Sequence, residues 1–124
     1  MKMTTDFPYF TGDELPQFPF MRLPRQLLTD PRFSELSADA KLLYCLFLDR
    51  MGVSARNGWK DEQGRVYIHY TLAEIQEDLR CSHGKAVKLL AALDGKTGVG
   101  LIERTKQGQG RPTRIYVKQF AANG

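Results

Sequence analysis

Between Ser82 and Lys118 the chain gathers side chains suited to one chemistry: neutralising phosphate and hydrogen-bonding to base edges. Lys85 and Lys88 are spaced to share one face of a helix. His83 stands at the start of the same segment, with Ser82 just ahead of it. Further on, Arg104, Lys106, Arg111, Arg114 and Lys118 set five positive charges against Glu103 alone. Gln107 and Gln109 alternate with Gly108 and Gly110. The amides can hydrogen-bond sugar, phosphate or bases, and the glycines let backbone approach a phosphate. The candidate DNA contacts are therefore Ser82, His83, Lys85 and Lys88 on a helix, and Arg104, Lys106, Gln107, Gln109, Arg111 and Arg114 on a basic loop and its flanks. The bland alternatives are a solvated lysine pair, a polar helix-end histidine and a serine that only caps.

Enzymatic readings fail on spacing. Gly95-Lys96-Thr97 resembles the end of a phosphate-binding loop, but Leu90 stands where that motif needs its first glycine, and a helix precedes it instead of a strand. His69 and His83 are the only histidines and lack metal-ligand spacing. Glu74, Glu77 and Asp78 read as a solvated acidic cluster on one short helix, and no nucleophile–base pair is recognisable. No catalytic residue, cofactor or metal is expected. Cys45 and Cys81 lie in apolar or helical patterns and read as reduced thiols of a cytoplasmic protein.

These residues need elements to hold them. Thr71 and Glu74 form a capping box that opens a helix through about Leu79. Arg80-Cys81-Ser82 breaks it, and Ser82 caps a second helix from His83 to about Asp94. Ala86, Val87, Leu90 and Leu93 are its expected buried face, packed against Leu72, Ile75 and Leu79. Two helices joined by so short a turn make a helix-turn-helix, whose second helix begins with its outward side chains at the DNA-reading end. Thr71 offers a further phosphate contact, since the amides of a helix start attract anions. Strands at Leu101–Arg104 and Arg114–Lys118 then form a hairpin around the polar tip 105–113. Helix, helix and basic hairpin is the order of a winged helix, an α+β fold. Gly95, Gly98 and Gly100 are expected to loosen the connection into the hairpin.

Upstream, Ser37 caps a helix running to about Met51, with Leu36, Ala40, Leu43, Phe47 and Met51 as one apolar stripe and Leu42, Cys45, Leu46 and Leu48 widening it. Val66–Tyr70 reads as a strand, Phe20–Leu23 as a short strand ended by Pro24, and Pro24–Leu28 as one helical turn. Residues 1–19 read as an extended proline-rich arm. Its aromatics Phe7, Tyr9, Phe10 and Phe18 seek burial, either on their own domain or as dimer contacts. Residues 20–120 form the winged-helix domain and 121–124 a tail.

The 124 residues suit one domain of ordinary globular composition. The formal charge of +4 conceals a gradient. Residues 1–79 hold nine basic and twelve acidic side chains, whereas residues 80–118 hold nine basic and only two acidic, a net of +7. This is the charge footprint of a nucleic-acid face. The longest apolar run, Leu42 to Leu48, is far below the ~20 residues that cross a bilayer, so no membrane association is expected.

The same residues resemble the replication initiator protein A N-terminal domain family (RepA_N) of plasmids and mobile elements from low-GC Gram-positive bacteria. The matching pieces are Leu36-Ser37, Ala40 through Tyr44, Leu48 through Met51, Asn57-Gly58-Trp59, Asp61 and Gly64 through Ile68. Cys81-Ser82, Lys85 through Leu90, Gly100 through Arg104 and Arg114 through Val117 complete the set. The resemblance covers about Phe20 to Phe120. It implies a winged-helix domain that binds double-stranded DNA at origin repeats, usually as a homodimer, with no enzymatic activity of its own. It also implies a longer initiator, whose C-terminal domain, absent from these 124 residues, meets host replication proteins. The run Gly95–Gly100 departs from the family pattern in length and glycine content. The competing readings are a winged-helix transcriptional regulator and a winged-helix protein-interaction module.

Overall fold

A computed structural model describes residues 7–13 and 19–120. Helix α1 (Gln26–Thr29) and a 3-10 turn, Pro31–Phe33, lead into the central helix α2 (Ala38–Arg56). Ser37 caps α2 by accepting a hydrogen bond from the Ala40 amide at 3.1 Å. The helix runs past the expected end at Met51. Nothing in Val53-Ser54-Ala55-Arg56 opposes helix, and termination waits for Asn57 and for Gly58, whose φ is +75°. Ala40, Leu43, Tyr44, Cys45 and Phe47 are buried, but Leu42 is exposed, so α2 buries most of its circumference and not all of it.

Aromatic contacts tie α2 to distant parts of the chain. The Tyr44 hydroxyl donates to the Lys118 carbonyl at 2.6 Å, and Phe120 packs edge-on to Phe33 with centroids 5.1 Å apart. Phe47 meets Tyr70 edge-on at 5.1 Å. Burial of such rings, about 150–250 Å² each, supplies a large share of the core's stability.

Helices α3 (Leu72–Leu79) and α4 (His83–Leu93) form the helix pair. Arg80 closes α3 in the left-handed conformation, φ 52°, and turns the chain toward the Ser82 cap. Strands β1 (Ile102–Thr105) and β2 (Arg114–Val117) pair antiparallel, with Ile102 opposite Val117 and Thr105 opposite Arg114. Ile102 and Ile115 turn into the core.

Three expectations need correction. Phe20–Leu23 pairs with no strand among the described residues, and Phe20, Met21 and Leu23 are exposed. Val66–Tyr70 is not a continuous strand. Ile68 exchanges both backbone hydrogen bonds with Ile115 at 2.9 Å, while the Tyr67 amide is drawn to the Trp59 carbonyl and Thr71 at once opens α3. The glycine-rich connection after α4 is tight, not loose. The Gly98 amide donates to the Asp94 carbonyl at 2.7 Å and the Val99 amide to Ala92 at 2.9 Å. The Thr97 hydroxyl donates to Ala91 at 2.7 Å, folding the turn back onto the end of α4.

Candidate nucleic-acid interface

The face that α4 presents follows from what it buries. Ala86, Leu89, Leu90 and Leu93 point inward. Val87, expected among them, is 43% exposed, and Leu89 takes its place at 5%. At about 100° per residue, Leu89 lies about 40° from Leu93 and about 60° from Ala86, whereas Val87 lies about 100° from Ala86 on the other side. His83, Gly84 and Lys88 share the outward side with Val87. Ser82 caps the helix, its hydroxyl accepting from the Lys85 amide at 3.1 Å.

The two lysines part company. Lys85 Nζ forms an ion pair with Asp39 on the first turn of α2, and this hydrogen bond raises the lysine's pKa. Lys88 is exposed and has no ion pair among the described residues. The helix thus offers one uncommitted cation, with a second held beside a carboxylate.

Arg104 is a correction of a different kind. Its guanidinium is bound to the carboxylate of Asp94, the residue that ends α4, and that residue is only 5% exposed. Burial pushes the Asp94 carboxyl up. The Lys96 amide at 3.0 Å and the Arg104 guanidinium outweigh it and hold the pKa below its ordinary value. Arg104 therefore fastens β1 to the end of α4 through its Nε, while its side chain stays part-exposed.

Thr71 is likewise committed. Its amide and its hydroxyl both donate to the Glu74 carboxylate, at 3.0 and 3.2 Å, and the hydroxyl accepts from the Glu74 amide. The capping box thus engages the Thr71 and Glu74 amides at the start of α3. The acidic cluster is correspondingly not solvated throughout: Arg50 pairs with Glu74 at 2.9 Å, and Asp78 accepts from the Tyr70 hydroxyl. Burial first, and then Asp78, push that phenol's pKa up.

At the wing, Lys106, Gln109 and Arg111 are exposed and Gln107 is half-buried. Gly108 (φ +107°) and Gly110 (φ +78°) shape the tip, and the Arg111 amide closes a turn onto the Gly108 carbonyl at 3.2 Å. Arg114 lies over the Tyr67 ring at 4.2 Å. Trp59 stacks on the same tyrosine with an interplanar angle of 19°, and Arg65 covers Tyr116 at 4.8 Å. Arg65 is itself held by Asp61 at 2.8 Å. Burial raises the Asp61 carboxyl, but hydrogen bonds from Arg65 and Gln63 bring it down to about 2. This aromatic–cation layer on the outer side of the hairpin escaped the sequence reading. The alternation Arg65, Tyr67, His69 was its available signal.

In the arm, Phe7 and Tyr9 are 75% and 94% exposed and Phe10 is exposed as well, so these three are not buried on their own domain. Phe18 lies outside the described residues. Among the described residues no helix is long and apolar enough to cross a membrane.

A capped helix pair, a hairpin pinned to the end of its second helix and a glycine-shaped basic tip define a winged helix-turn-helix protein. The family described as replication initiator protein A (RepA) N-terminus matches residues 19–124, and the chain belongs to it. A 41 kDa protein of Lactobacillus helveticus is 29% identical over 106 residues, which cover 81% of this chain and 29% of that protein. The chain thus spans less than a third of that relative. Among solved structures, an N-terminal domain of a DNA binding protein superposes with a TM-score of 0.73 at 28% identity, covering 92% of this chain and 85% of that one. A Rep–DNA complex gives 0.72 at 28%, covering 90% and 84%. An MDR initiator gives 0.70 at 32% identity, covering 92% and 88%.

Proposed function

We propose that this domain binds double-stranded DNA at the repeats of a replication origin, as the DNA-reading part of a plasmid or mobile-element initiator, and that it carries no catalysis of its own. The observation that supports this most is the sorting of its cations. Lys85, Arg104 and Arg65 are engaged by carboxylates of the fold, whereas Lys88 on α4 and Lys106 and Arg111 on the wing are exposed and unpaired among the described residues. A winged helix reads a site with the exposed face of its second helix and touches backbone with its wing, so uncommitted cations are where contact needs them. The family and the fold shared with a Rep–DNA complex support the same reading.

The protein works as a homodimer in this proposal, with the exposed arm aromatics Phe7, Tyr9 and Phe10 as candidate dimer contacts. Host replication proteins are met through a further domain of the longer initiator. Lys106 and Arg111 on each of two domains correspond to about four phosphate contacts, with Lys88 left to a base edge, and affinity should then fall about a hundredfold between 50 and 200 mM salt. Selection of bound sites from random duplex DNA, followed by titration across that salt range, tests the proposal. Repeated half-sites and a steep salt slope support it. A salt-insensitive interaction, or no duplex binding, refutes it. Footprinting separates initiation from simple repression, since repeats within an origin and a single palindrome over a promoter leave different patterns.

A further inference from the structure

We propose that Val87 reads the 5-methyl group of a thymine in the major groove, and that Gly84 is what lets α4 lie close enough for it to do so. The inference rests on α4 being the recognition helix. Two observations carry it. Val87 is 43% exposed in the middle of a helix whose inward side is complete without it. Gly84, three residues earlier on the same outward side, has no atom within 4 Å of where a Cβ would stand, and its backbone is not in the left-handed region. Valine and glycine both disfavour helix relative to alanine. Gly84 is required by neither packing nor backbone conformation inside this domain, and Val87 leaves nearly half of its surface open.

The charges around them sharpen the choice of ligand. Lys85 is drawn aside to Asp39, and Lys88 is the one uncommitted cation on the exposed face. What remains between His83 and Lys88 is a low-relief surface with one apolar side chain. In the major groove each base pair offers hydrogen-bonding atoms, and the thymine methyl is the one apolar group among them. Valine matches that methyl and has no use for the polar edges. A Cβ on Gly84 would hold the helix axis away from the bases and lift Val87 off the methyl. A lysine at position 88 suits a guanine edge, so the recognised half-site should hold thymine close to guanine.

The test removes the methyl alone. In the duplex site selected by the native chain, each thymine is replaced in turn by deoxyuridine. At one position per half-site the dissociation constant should rise about fourfold, the effect of one buried methyl group. Val87→Ala should bind the thymine and deoxyuridine sites equally. Gly84→Ala should raise the melting temperature by a few degrees while weakening binding to the selected site by at least about tenfold. Discrimination that survives in Val87→Ala overturns the proposal. So does a native chain indifferent to every thymine methyl, or a Gly84→Ala variant that binds normally. Each of these outcomes leaves duplex binding itself intact. Loss of all duplex binding by the native chain would instead remove the reading on which the proposal stands.

Discussion

Gly98→Ala should be among the most damaging single-methyl additions in this domain. A Cβ at Gly98 would lie 2.0 Å from the Ala92 carbonyl oxygen, 2.3 Å from its carbon and 2.5 Å from the Ala91 oxygen. All three are backbone atoms of α4, next to the fully buried Leu93, so they cannot swing aside as a side-chain tip would. The turn must move instead. Moving it breaks the Gly98–Asp94 and Val99–Ala92 hydrogen bonds, at 2.7 and 2.9 Å. Each is worth about 1 kcal/mol net, and forced overpacking adds about 1–3 kcal/mol. The sum, about 3–5 kcal/mol, corresponds to a fall of roughly 10–20 °C in melting temperature for a domain of this size. Thermal unfolding followed by circular dichroism measures it, with Gly95→Ala as control, since a Cβ there meets nothing nearer than 3.7 Å. A Gly98→Ala protein melting within about 3 °C of the parent would show that the turn yields freely and that the reasoning from close approach is wrong.

Other substitutions probe the remaining joints. Asp94→Asn should lower stability by about 1–2 kcal/mol at neutral pH. The native carboxyl sits below its ordinary 3.8, so its contribution is full above that value and is lost as pH falls through the lowered native one. The urea midpoint of the parent should therefore drop below about pH 4 more steeply than that of the variant. Arg80→Gly should raise stability by about 0.5–1 kcal/mol, because the residue's φ of 52° strains any side chain but suits glycine; an unchanged or lower urea midpoint would contradict this. Lys88→Ala should cost about 1–3 kcal/mol on the selected site and much less on random duplex, whereas Arg111→Ala should weaken both alike; a site-selective loss at Arg111 would mean that the wing reads bases. Asp39→Asn releases Lys85 and should strengthen binding to random duplex by a few-fold at low salt; filter binding that shows no gain would mean the ion pair does not restrain the lysine.

Much of the site was legible along the chain because it depends on local rules. Thr71 with Glu74 and Ser82 with the Lys85 amide are caps, and caps are written within four residues of each other. The glycines at 108 and 110 announce a tip whose backbone only glycine adopts easily. The charge gradient locates the basic half without any coordinates. Most core-facing residues of α2 also follow from helical spacing; the exposed Leu42, the buried Tyr44 and the five residues beyond Met51 do not.

What the sequence alone determined is therefore the inventory: a capped helix pair, a basic hairpin, a central apolar helix, and the family to which they belong. Only the tertiary structure decided which cations are held by carboxylates of the fold. Arg104, Lys85 and Lys88 look alike in one dimension. Their different surroundings come from Asp94 and Asp39, carboxylates ten and forty-six residues away along the chain that folding brings within an ion pair's reach of Arg104 and Lys85. Val87 changed sides for a related reason. Several angular solutions bury an apolar stripe on a short helix, and the neighbours α2 and α3 select the one that buries Leu89 and leaves Val87 outside.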